Sequence, residues 1–163
     1  MKNIKKAYIA GGCFWGMEDL FRIRKGILDT EVGYQGGENE NPTYKNHPGH
    51  AEGIEITYDA NETSFKDILD YFFRIHNPTT LDRQGNDLGS SYRSTIFIQN
   101  DEELKISKEV IDIVNKSGKW EADVVTTLEP ISKFWPAEPE HQDYLKRNPN
   151  GYTCHFERFG TFV

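Results

Sequence analysis

The sequence predicts a two-layer α+β fold, and three observations lead to this prediction. Short apolar runs with period-two alternation indicate strands, and between them apolar residues recur every three or four positions, as in amphipathic helices. The chain has 163 residues, which is enough to bury one core without disulfides or metals. It contains no internal repeat and no Pro/Gly-rich linker, so we expect residues 1–163 to form a single domain.

The first half of the chain alternates strand and helix. A buried strand runs into a glycine pair, and the apolar residues that follow recur at helical spacing until Gly26 ends the pattern. Further along, Ile54, Ile56 and Tyr58 alternate with polar residues, as in a strand with one buried face. In order, we predict a strand over Lys6–Ala10, a helix from Phe14 to about Gly26, a strand over residues 27–34, a polar loop to about Ala51 and a strand around residues 54–58.

The second half continues this pattern and ends in a tail. Ser64, with Asp67 three residues later, resembles a helix cap. The order through residue 98 is β-α-β-β-α-β, which predicts a ferredoxin-like split βαβ sandwich with an added helix and strand and a long irregular C-terminal tail. The predicted segments are a helix from Phe65 to about His76, a long loop to Ser91, a strand over Arg93–Ile98, a helix over Asp101–Lys116, a strand over Glu121–Leu128, and a Pro/Gly-rich tail from about Glu129 with at most one short helix around Glu140–Arg147.

Composition and charge exclude several classes of protein. The 19 Lys and Arg against 26 Asp and Glu give a formal net charge of −7. This acidic balance argues against nucleic acid or an anionic membrane surface as a partner, because both need a clustered basic face. The longest apolar N-terminal stretch, residues 7–15, is too short to span a bilayer and lacks a signal-peptide cleavage pattern. We therefore expect a cytoplasmic protein and, since no feature indicates an obligate interface, a monomer.

Cys13 is the most informative position for chemistry. It follows two glycines where the first predicted helix begins, so backbone N–H groups and the positive end of the helix dipole point towards its sulfur. That setting favours the thiolate, which is the nucleophilic form of cysteine. The alternative is a small buried cysteine that fills space under a helix. The second cysteine, Cys154, lies at the opposite end of the chain, so the two form no disulfide framework.

Aromatic and carboxylic side chains could complete a site around Cys13. Phe14 and Trp15 follow it directly and could line a pocket for a small apolar group. Phe14 also lies on the apolar stripe of the helix, whereas Trp15 lies off it, which favours an exposed pocket wall for Trp15. Glu52 stands where a loop becomes a strand, and a carboxyl beside aromatic walls has a raised pKa and can donate a proton near neutral pH. The alternative for Glu52 is a solvated surface charge.

Seven short motifs stand in order between about residue 7 and residue 156. They are Gly12-Cys13-Phe14-Trp15-Gly16, Asn41-Pro42-Thr43-Tyr44, Gly49-His50-Ala51-Glu52, Gln84-Gly85-Asn86-Asp87, Tyr92-Arg93-Ser94, Pro136-Ala137-Glu138 and His141-Gln142-Asp143-Tyr144. Each motif alone is modest, but together they resemble the A-type peptide methionine sulfoxide reductases. The resemblance implies a ferredoxin-like fold and thiol-dependent reduction of methionine-S-sulfoxide, free or in proteins, with no cofactor and no metal.

The resemblance also implies a role for each matching residue. Cys13 attacks the sulfoxide sulfur and becomes a sulfenic acid as methionine leaves. Phe14 and Trp15 hold the ε-methyl group, and Glu52 protonates the sulfoxide oxygen. These roles agree with the chemistry, because sulfoxide reduction needs a soft nucleophile, an apolar seat for the methyl group and a proton source for the oxygen.

Three further residues receive supporting roles from the resemblance. Tyr44 and Tyr92 donate hydrogen bonds to the sulfoxide oxygen as negative charge accumulates there, and Asp87 lies at the edge of the site, where it tunes the position of the cysteine or of water. The chain departs from many family members in the loop after Tyr44, where only Lys45–Pro48 precede the Gly-His-Ala-Glu motif.

Regeneration of Cys13 depends on Cys154 in this interpretation. Many family members carry one or two resolving cysteines in a glycine-rich tail, and Cys154 is the one candidate in this chain. The resemblance implies a Cys13–Cys154 disulfide that thioredoxin then reduces, so we expect thioredoxin and oxidised proteins and peptides as partners. The alternative is a structural Cys154, with the sulfenic acid reduced directly by an external thiol.

Two other classes of function compete with this hypothesis. A cysteine hydrolase or acyltransferase would use His50 as the base for Cys13 and would act on thioesters without a reductant. A thioether-binding module would use the aromatic pocket only and would bind methionine peptides unchanged after Cys13→Ser. The three-residue spacing of His47 and His50 superficially suggests a metal pair, but with five histidines in the chain and no cysteine nearby we do not expect a metal site.

Overall fold

The protein is a mixed α+β structure built on one central sheet, as a computed structural model that describes residues 1–163 shows. The sheet has six strands in the order β7-β6-β1-β3-β2-β8, and β4 and β5 form a separate hairpin. Neighbouring strands are antiparallel except β6 and β7, which are parallel. The strands are β1 (Ile4–Gly11), β2 (Ile27–Gln35), β3 (Ala51–Asp59), β4 (Arg83–Gln84), β5 (Asp87–Leu88), β6 (Ser94–Ile98), β7 (Thr127–Pro130) and β8 (Trp135–Pro136), and the helices are α1 (Phe14–Phe21), α2 (Phe65–Ile75), α3 (Asp101–Lys116) and α4 (Tyr144–Arg147).

The main core lies between the central strands and the helices α1, α2 and α3. Ile9 of β1 is directly opposite Ile54 of β3, and both side chains are buried in the cluster that also contains Met17 of α1, Leu69 of α2 and Val110 of α3. Alternate residues of a strand point to the same face, which is why the period-two pattern in the sequence predicts this core. Burying each large apolar side chain contributes about 1.5–3 kcal/mol.

The two long helices begin at side-chain caps. Ser64 Oγ accepts a hydrogen bond from the Asp67 amide (3.1 Å), and Asn100 Oδ1 accepts one from the Glu103 amide (2.9 Å). Each cap satisfies an N–H that has no partner within the helix. The cap predicted at Ser64 is therefore confirmed. None of the helices is both long and apolar enough to cross a membrane.

The last predicted strand is shorter and lies later than expected. It was expected over 121–128, but β7 begins only at Thr127, where it pairs with Thr95 of β6. Before that point the Val124 amide donates to Asn115 Oδ1 (2.8 Å), so the segment is held by α3 instead of by the sheet. The prediction of a strand is wrong for residues 121–126, because a side-chain acceptor satisfies backbone that the sequence pattern assigned to a strand.

The tail contains more regular structure than the sequence predicts. β8 pairs with β2, so the expectation of an irregular tail is wrong for this segment. The predicted helix over residues 140–147 is divided into a 3-10 turn, Pro139–His141, and the short helix α4. The division falls at Asp143, whose left-handed backbone (φ 52°) interrupts a continuous helix.

At one end of the sheet, β1 and β2 terminate beside the first residues of β6 and β3. The pairing of Gly11 with Ser94 places the end of β1 beside the start of β6, and the pairing of Tyr34 with Glu52 places the end of β2 beside the start of β3. The first turn of α1 begins three residues beyond Gly11, at this same end of the sheet. Residues far apart in sequence are thereby brought to the N-terminus of α1.

Candidate active site

Cys13 stands at the N-terminus of α1 in a tight backbone turn. Gly12 has a φ of 100°, and a Cβ placed there would lie 2.6 Å from Cγ of Gln84, so the position requires glycine. The turn carries the chain from β1 into the helix and leaves Cys13 as the residue that caps α1. Its side chain is only 5% exposed. The placement at the helix start agrees with the sequence, and the burial of the side chain is the feature that the alternative interpretation of Cys13 expected.

The Cys13 thiol is protonated at neutral pH in the free protein. Burial raises its pKa well above the ordinary cysteine value, and the negative charges of Glu52 and Asp87 raise it further. The backbone amide of Trp15 lowers the pKa but does not offset burial. Burial and the neighbouring negative charges therefore oppose the thiolate that the helix N-terminus is expected to favour.

Glu52 lies beside the first turn of α1 and carries a proton at pH 7. It is 2% exposed, and its Oε1 accepts a hydrogen bond from the Phe14 amide (3.3 Å). Burial raises the pKa of Glu52 to about 8, assisted by the charge of Asp87 and opposed by the Phe14 hydrogen bond. The interpretation of Glu52 as a solvated surface charge is wrong, and the raised pKa agrees with the sequence prediction.

Two phenol groups belong to the same site, although Tyr44 is 36% exposed and Tyr92 is half-buried. Tyr44 is in the loop before β3 and Tyr92 is in a 3-10 turn, Ser90–Tyr92, just before β6. Burial raises the pKa of both, and the charges of Glu52 and Cys13 raise both further. The two hydroxyls therefore stay protonated and available as hydrogen-bond donors near Cys13. The structure thus brings these two predicted site residues together with the cysteine and the carboxyl.

The two aromatic residues after Cys13 occupy different environments. Phe14 is fully buried and packs on Tyr34, with ring centroids 5.7 Å apart. Trp15 is half-buried; its ring stacks on Tyr144 at 3.9 Å, and its Nε1–H donates to His141 Nδ1 (3.1 Å). The contrast between core and surface agrees with the periodicity of the sequence. The partners of Trp15 come from the tail and were not predicted.

A single tail carboxylate connects β2 to the Tyr44 loop. Glu138 accepts a hydrogen bond from the Tyr34 hydroxyl at Oε1 (2.8 Å) and one from the Tyr44 amide at Oε2 (3.0 Å). Because charge-assisted hydrogen bonds of this kind are short and directional, Glu138 fixes the loop that carries Tyr44. The motif Pro136-Ala137-Glu138 pointed to this segment, but only the structure assigns Glu138 a positioning role.

The second cysteine lies on the same side of the molecule as the first. Gly85 lies against Cys154: a Cβ placed on Gly85 would be 3.4 Å from the Cys154 Cβ. The charge of Cys154 is also one of the influences that raise the pKa of Cys13. Both thiols are free, and Cys154 is half-buried. Tyr152 donates a hydrogen bond to Asp87 Oδ2 (3.2 Å), which connects this part of the tail to the β4–β5 hairpin.

His155 anchors the tail next to Cys154. Its Nε2 donates to the Gly11 carbonyl (2.6 Å), and a Cβ placed on Gly16 would lie 2.4 Å from its Nδ1. The imidazole is buried, which lowers its pKa to about 4, so it is neutral at pH 7. No motif pointed to His155, because its partner is 144 residues away in the chain.

The histidine required by the hydrolase hypothesis is engaged elsewhere. His50 Nδ1 accepts a hydrogen bond from the Gly37 amide (3.0 Å), and its Nε2 donates to the Asn39 carbonyl (2.8 Å). Both ring nitrogens are thus occupied by backbone groups of their own loop. His50 has no free nitrogen with which to act as a base for Cys13, and the structure gives the hydrolase hypothesis no support.

Comparison with known proteins identifies similar chains over nearly the whole length. A family model described as peptide methionine sulfoxide reductase matches residues 5–160. The peptide methionine sulfoxide reductase MsrA of Nocardia farcinica is 56% identical over 158 residues, which cover 97% of this chain and 93% of the relative.

Solved structures of one yeast protein are also similar. Mxr1 of Saccharomyces cerevisiae in its reduced form superposes with a TM-score of 0.89 at 36% identity, covering 96% of this chain and 93% of that one. The same protein in complex with Trx2 superposes with a TM-score of 0.67 at 28% identity, covering 96% of this chain and 91% of that one.

Proposed function

Because this chain belongs to the peptide methionine sulfoxide reductase family, we propose that it reduces methionine-S-sulfoxide, free and in proteins, to methionine at Cys13. One observation supports the proposal most directly. A buried thiol lies near a buried carboxyl whose pKa is raised to about 8, and both stand at the end of the sheet where α1 begins. A thiol and a proton donor are the two groups that transfer of oxygen from a sulfoxide requires.

The reductive step transfers the oxygen of the sulfoxide to Cys13. Cys13 Sγ attacks the sulfoxide sulfur while Glu52 protonates the sulfoxide oxygen. The sulfur–oxygen bond of the substrate then breaks, the protonated oxygen is transferred to Cys13 Sγ as a sulfenic acid, and the thioether leaves as methionine, so that a thiol and a sulfoxide become a sulfenic acid and a thioether. Tyr44 and Tyr92 donate hydrogen bonds to the oxygen as negative charge develops there. The proton of the resting Cys13 thiol passes to Glu52 and replaces the one that Glu52 gave to the oxygen, so the step takes up no net proton.

The methyl group of the substrate is held by the aromatic pair. Trp15 supplies a half-buried ring at the surface and Phe14 a rigid buried neighbour, so together they offer an apolar seat beside the nucleophile. Discrimination of one sulfoxide epimer follows from three fixed points: the methyl group in this seat, the oxygen towards Glu52 and the sulfur facing Cys13.

Cys154 regenerates the enzyme in this proposal. Its thiol attacks the sulfur of the Cys13 sulfenic acid and releases water, which forms a Cys13–Cys154 disulfide. Thioredoxin then reduces that disulfide, in keeping with the complex that yeast Mxr1 forms with Trx2. Asp87, through Tyr152, holds the tail near the site. No cofactor or metal takes part.

We propose further properties of the whole molecule. The order β6-β1-β3-β2 supports a ferredoxin-like split βαβ core, extended by β7 and β8 within one domain of 163 residues. The net charge of −7 supports a protein without nucleic acid or membrane partners. Two cysteines without a disulfide framework support a cytoplasmic location, where we propose that the protein acts as a monomer on oxidised proteins and peptides.

The proposal is tested with a peptide that contains both epimers of methionine sulfoxide. In the presence of dithiothreitol, wild type should consume the S epimer only, and Cys13→Ser should consume neither. Consumption of both epimers would remove the proposed stereochemistry, and activity of Cys13→Ser would remove the nucleophile.

A further inference from the structure

Glu18 is a buried carboxyl to which the proposed reaction gives no role. It lies on α1, one turn after Trp15, is 2% exposed and forms no ion pair. Burial is the main reason that its pKa is raised to about 7. A carboxyl is costly to bury unless its oxygens are hydrogen-bonded, so the partners of Glu18 indicate its purpose.

Each oxygen of Glu18 accepts one strong hydrogen bond. Oε2 accepts from the Thr30 hydroxyl of β2 (2.8 Å), and Oε1 accepts from the backbone amide of Asp143 (2.7 Å), 125 residues away in the chain. Asp143 has a left-handed backbone (φ 52°, ψ 36°), which is a costly conformation for a residue with a side chain. Glu18 therefore holds a strained turn in place from inside the protein.

Residues on either side of that turn contact Trp15. His141, two positions before Asp143, accepts the indole N–H at 3.1 Å. Tyr144, the position after Asp143, stacks on the indole at 3.9 Å with an interplanar angle of 11°. Trp15 and Glu18 are on the same helix. Glu18 therefore connects the helix that carries the indole to the turn that carries His141 and Tyr144.

We propose that Glu18 is a positioning residue for the reductive step: it fixes the turn at Asp143 and thereby holds His141 and Tyr144 against Trp15. The inference rests on the proposed function in one respect, namely that the Trp15 ring receives the substrate methyl group. The physical reason is that the Trp15 ring must be held in one position to bind the methyl group, because small displacements of a positioning group reduce rates steeply.

The first test measures methionine release in a single turnover as a function of peptide sulfoxide concentration. Glu18→Ala removes both hydrogen bonds, and we expect it to lower the second-order rate constant of methionine release by about tenfold or more. Glu18→Asp, which withdraws the carboxyl by one methylene, should give a similar loss and serves if the alanine variant does not fold. A normal rate with only a lowered melting temperature would overturn the proposal, since Glu18 would then be structural.

Two conservative variants serve as matched controls. Glu18→Gln can accept from the Asp143 amide through Oε1 and donate to the Thr30 hydroxyl through Nε2, so it should restore the rate to within about twofold of wild type. Thr30→Val removes only the second hydrogen bond and should also stay within about twofold. A Thr30→Val loss as large as that of Glu18→Ala would mean that the Asp143 turn is not what matters.

A double-mutant cycle shows whether Glu18 acts through the tail. In a Tyr144→Ala background, Glu18→Ala should lower the rate constant of methionine release much less than in wild type, because the ring that Glu18 positions against Trp15 is already absent. Equal losses in both backgrounds would overturn the proposal.

A spectroscopic readout separates this inference from the proposed function. The indole N–H resonance of Trp15, assigned by comparison with Trp15→Phe, should shift in Glu18→Ala and not in Thr30→Val, whether or not the protein reduces sulfoxide. Failure of wild type to release methionine would therefore defeat the proposed function, whereas an unchanged indole resonance in Glu18→Ala would defeat the role of Glu18.

Discussion

Glu52 Oε1 accepts a hydrogen bond from the amide of Phe14 over 3.3 Å. Since Phe14 directly follows Cys13, this hydrogen bond ties the proton donor of β3 to the first turn of the helix that begins at the nucleophile. The two groups are held in fixed relation by backbone, so neither has to be assembled when substrate arrives.

Replacement of the carboxyl should affect the chemistry and leave the fold intact. We expect Glu52→Gln to slow methionine release in a single turnover by about 10²–10⁴-fold, because an amide cannot supply the proton. Glu55→Gln is the matched control: Glu55 lies on the same strand and accepts hydrogen bonds from Lys6 and Tyr8, outside the site. An unchanged rate in Glu52→Gln would remove Glu52 from the mechanism.

The reductive step should depend on pH through Glu52. Its pKa is raised to about 8, and the protonated form is the active one, so the rate is fully present below that value and falls as pH rises through about 8. The measurement is the single-turnover rate from pH 6 to pH 10, at about half-unit steps. A rate that rises across this range would instead indicate that ionisation of Cys13 governs the step.

Stability should depend on the same carboxyl. The folded pKa of Glu52 lies above its ordinary value, so the folded state holds a proton that the unfolded state has lost, and the stability contributed by the protonated carboxyl is lost as pH rises through about 8. We expect Glu52→Gln to melt at a higher temperature than wild type above that pH, with the difference shrinking towards pH 5. Thermal melts at several pH values check the trend, and a difference that grows as pH falls would contradict it.

The two tyrosine hydroxyls should contribute separately to the same step. Tyr44→Phe and Tyr92→Phe each remove one donor to a developing charge, worth about 1.5–3 kcal/mol or roughly ten- to a hundredfold in rate. The double variant should lose more than either single variant. Comparison of all four proteins in single turnover checks this, and equal losses in the single and double variants would mean that the hydroxyls do not act as two independent donors.

Cys154 should be needed for recycling and not for reduction. We expect Cys154→Ser to release one methionine per enzyme and then to stall with thioredoxin, because no disulfide can form. With dithiothreitol the same variant should continue, since a small thiol reduces the sulfenic acid directly. Multiple turnovers of Cys154→Ser with thioredoxin would refute the resolving role.

Local patterns in the sequence are sufficient to predict the core strands and helices of the fold. The alternation around Ile54 and Ile56 and the cap at Ser64 depend on neighbours in the chain, and the structure has β3 and α2 where these patterns predict them. The strand expected over 121–128 fails because Val124 finds its hydrogen-bond partner in the side chain of Asn115, which no periodicity records.

The site residues follow the same division. The sequence indicates Cys13 and Glu52 because both stand at boundaries between elements. It does not indicate the raised pKa of Cys13, because that depends on burial by segments distant in the chain. Glu18 and His155 could not be identified from the sequence. Their partners lie 125 and 144 residues away, and a lone buried carboxyl or imidazole carries no local signal.

The most direct test of the account is the mass of the protein after one equivalent of methionine-S-sulfoxide peptide, without reductant, in Cys154→Ser. We predict that one methionine is released per enzyme and that the peptide containing Cys13 gains the mass of one oxygen atom. Methionine release without that gain, or release by a variant that also lacks Cys13, would contradict the claim that Cys13 receives the sulfoxide oxygen.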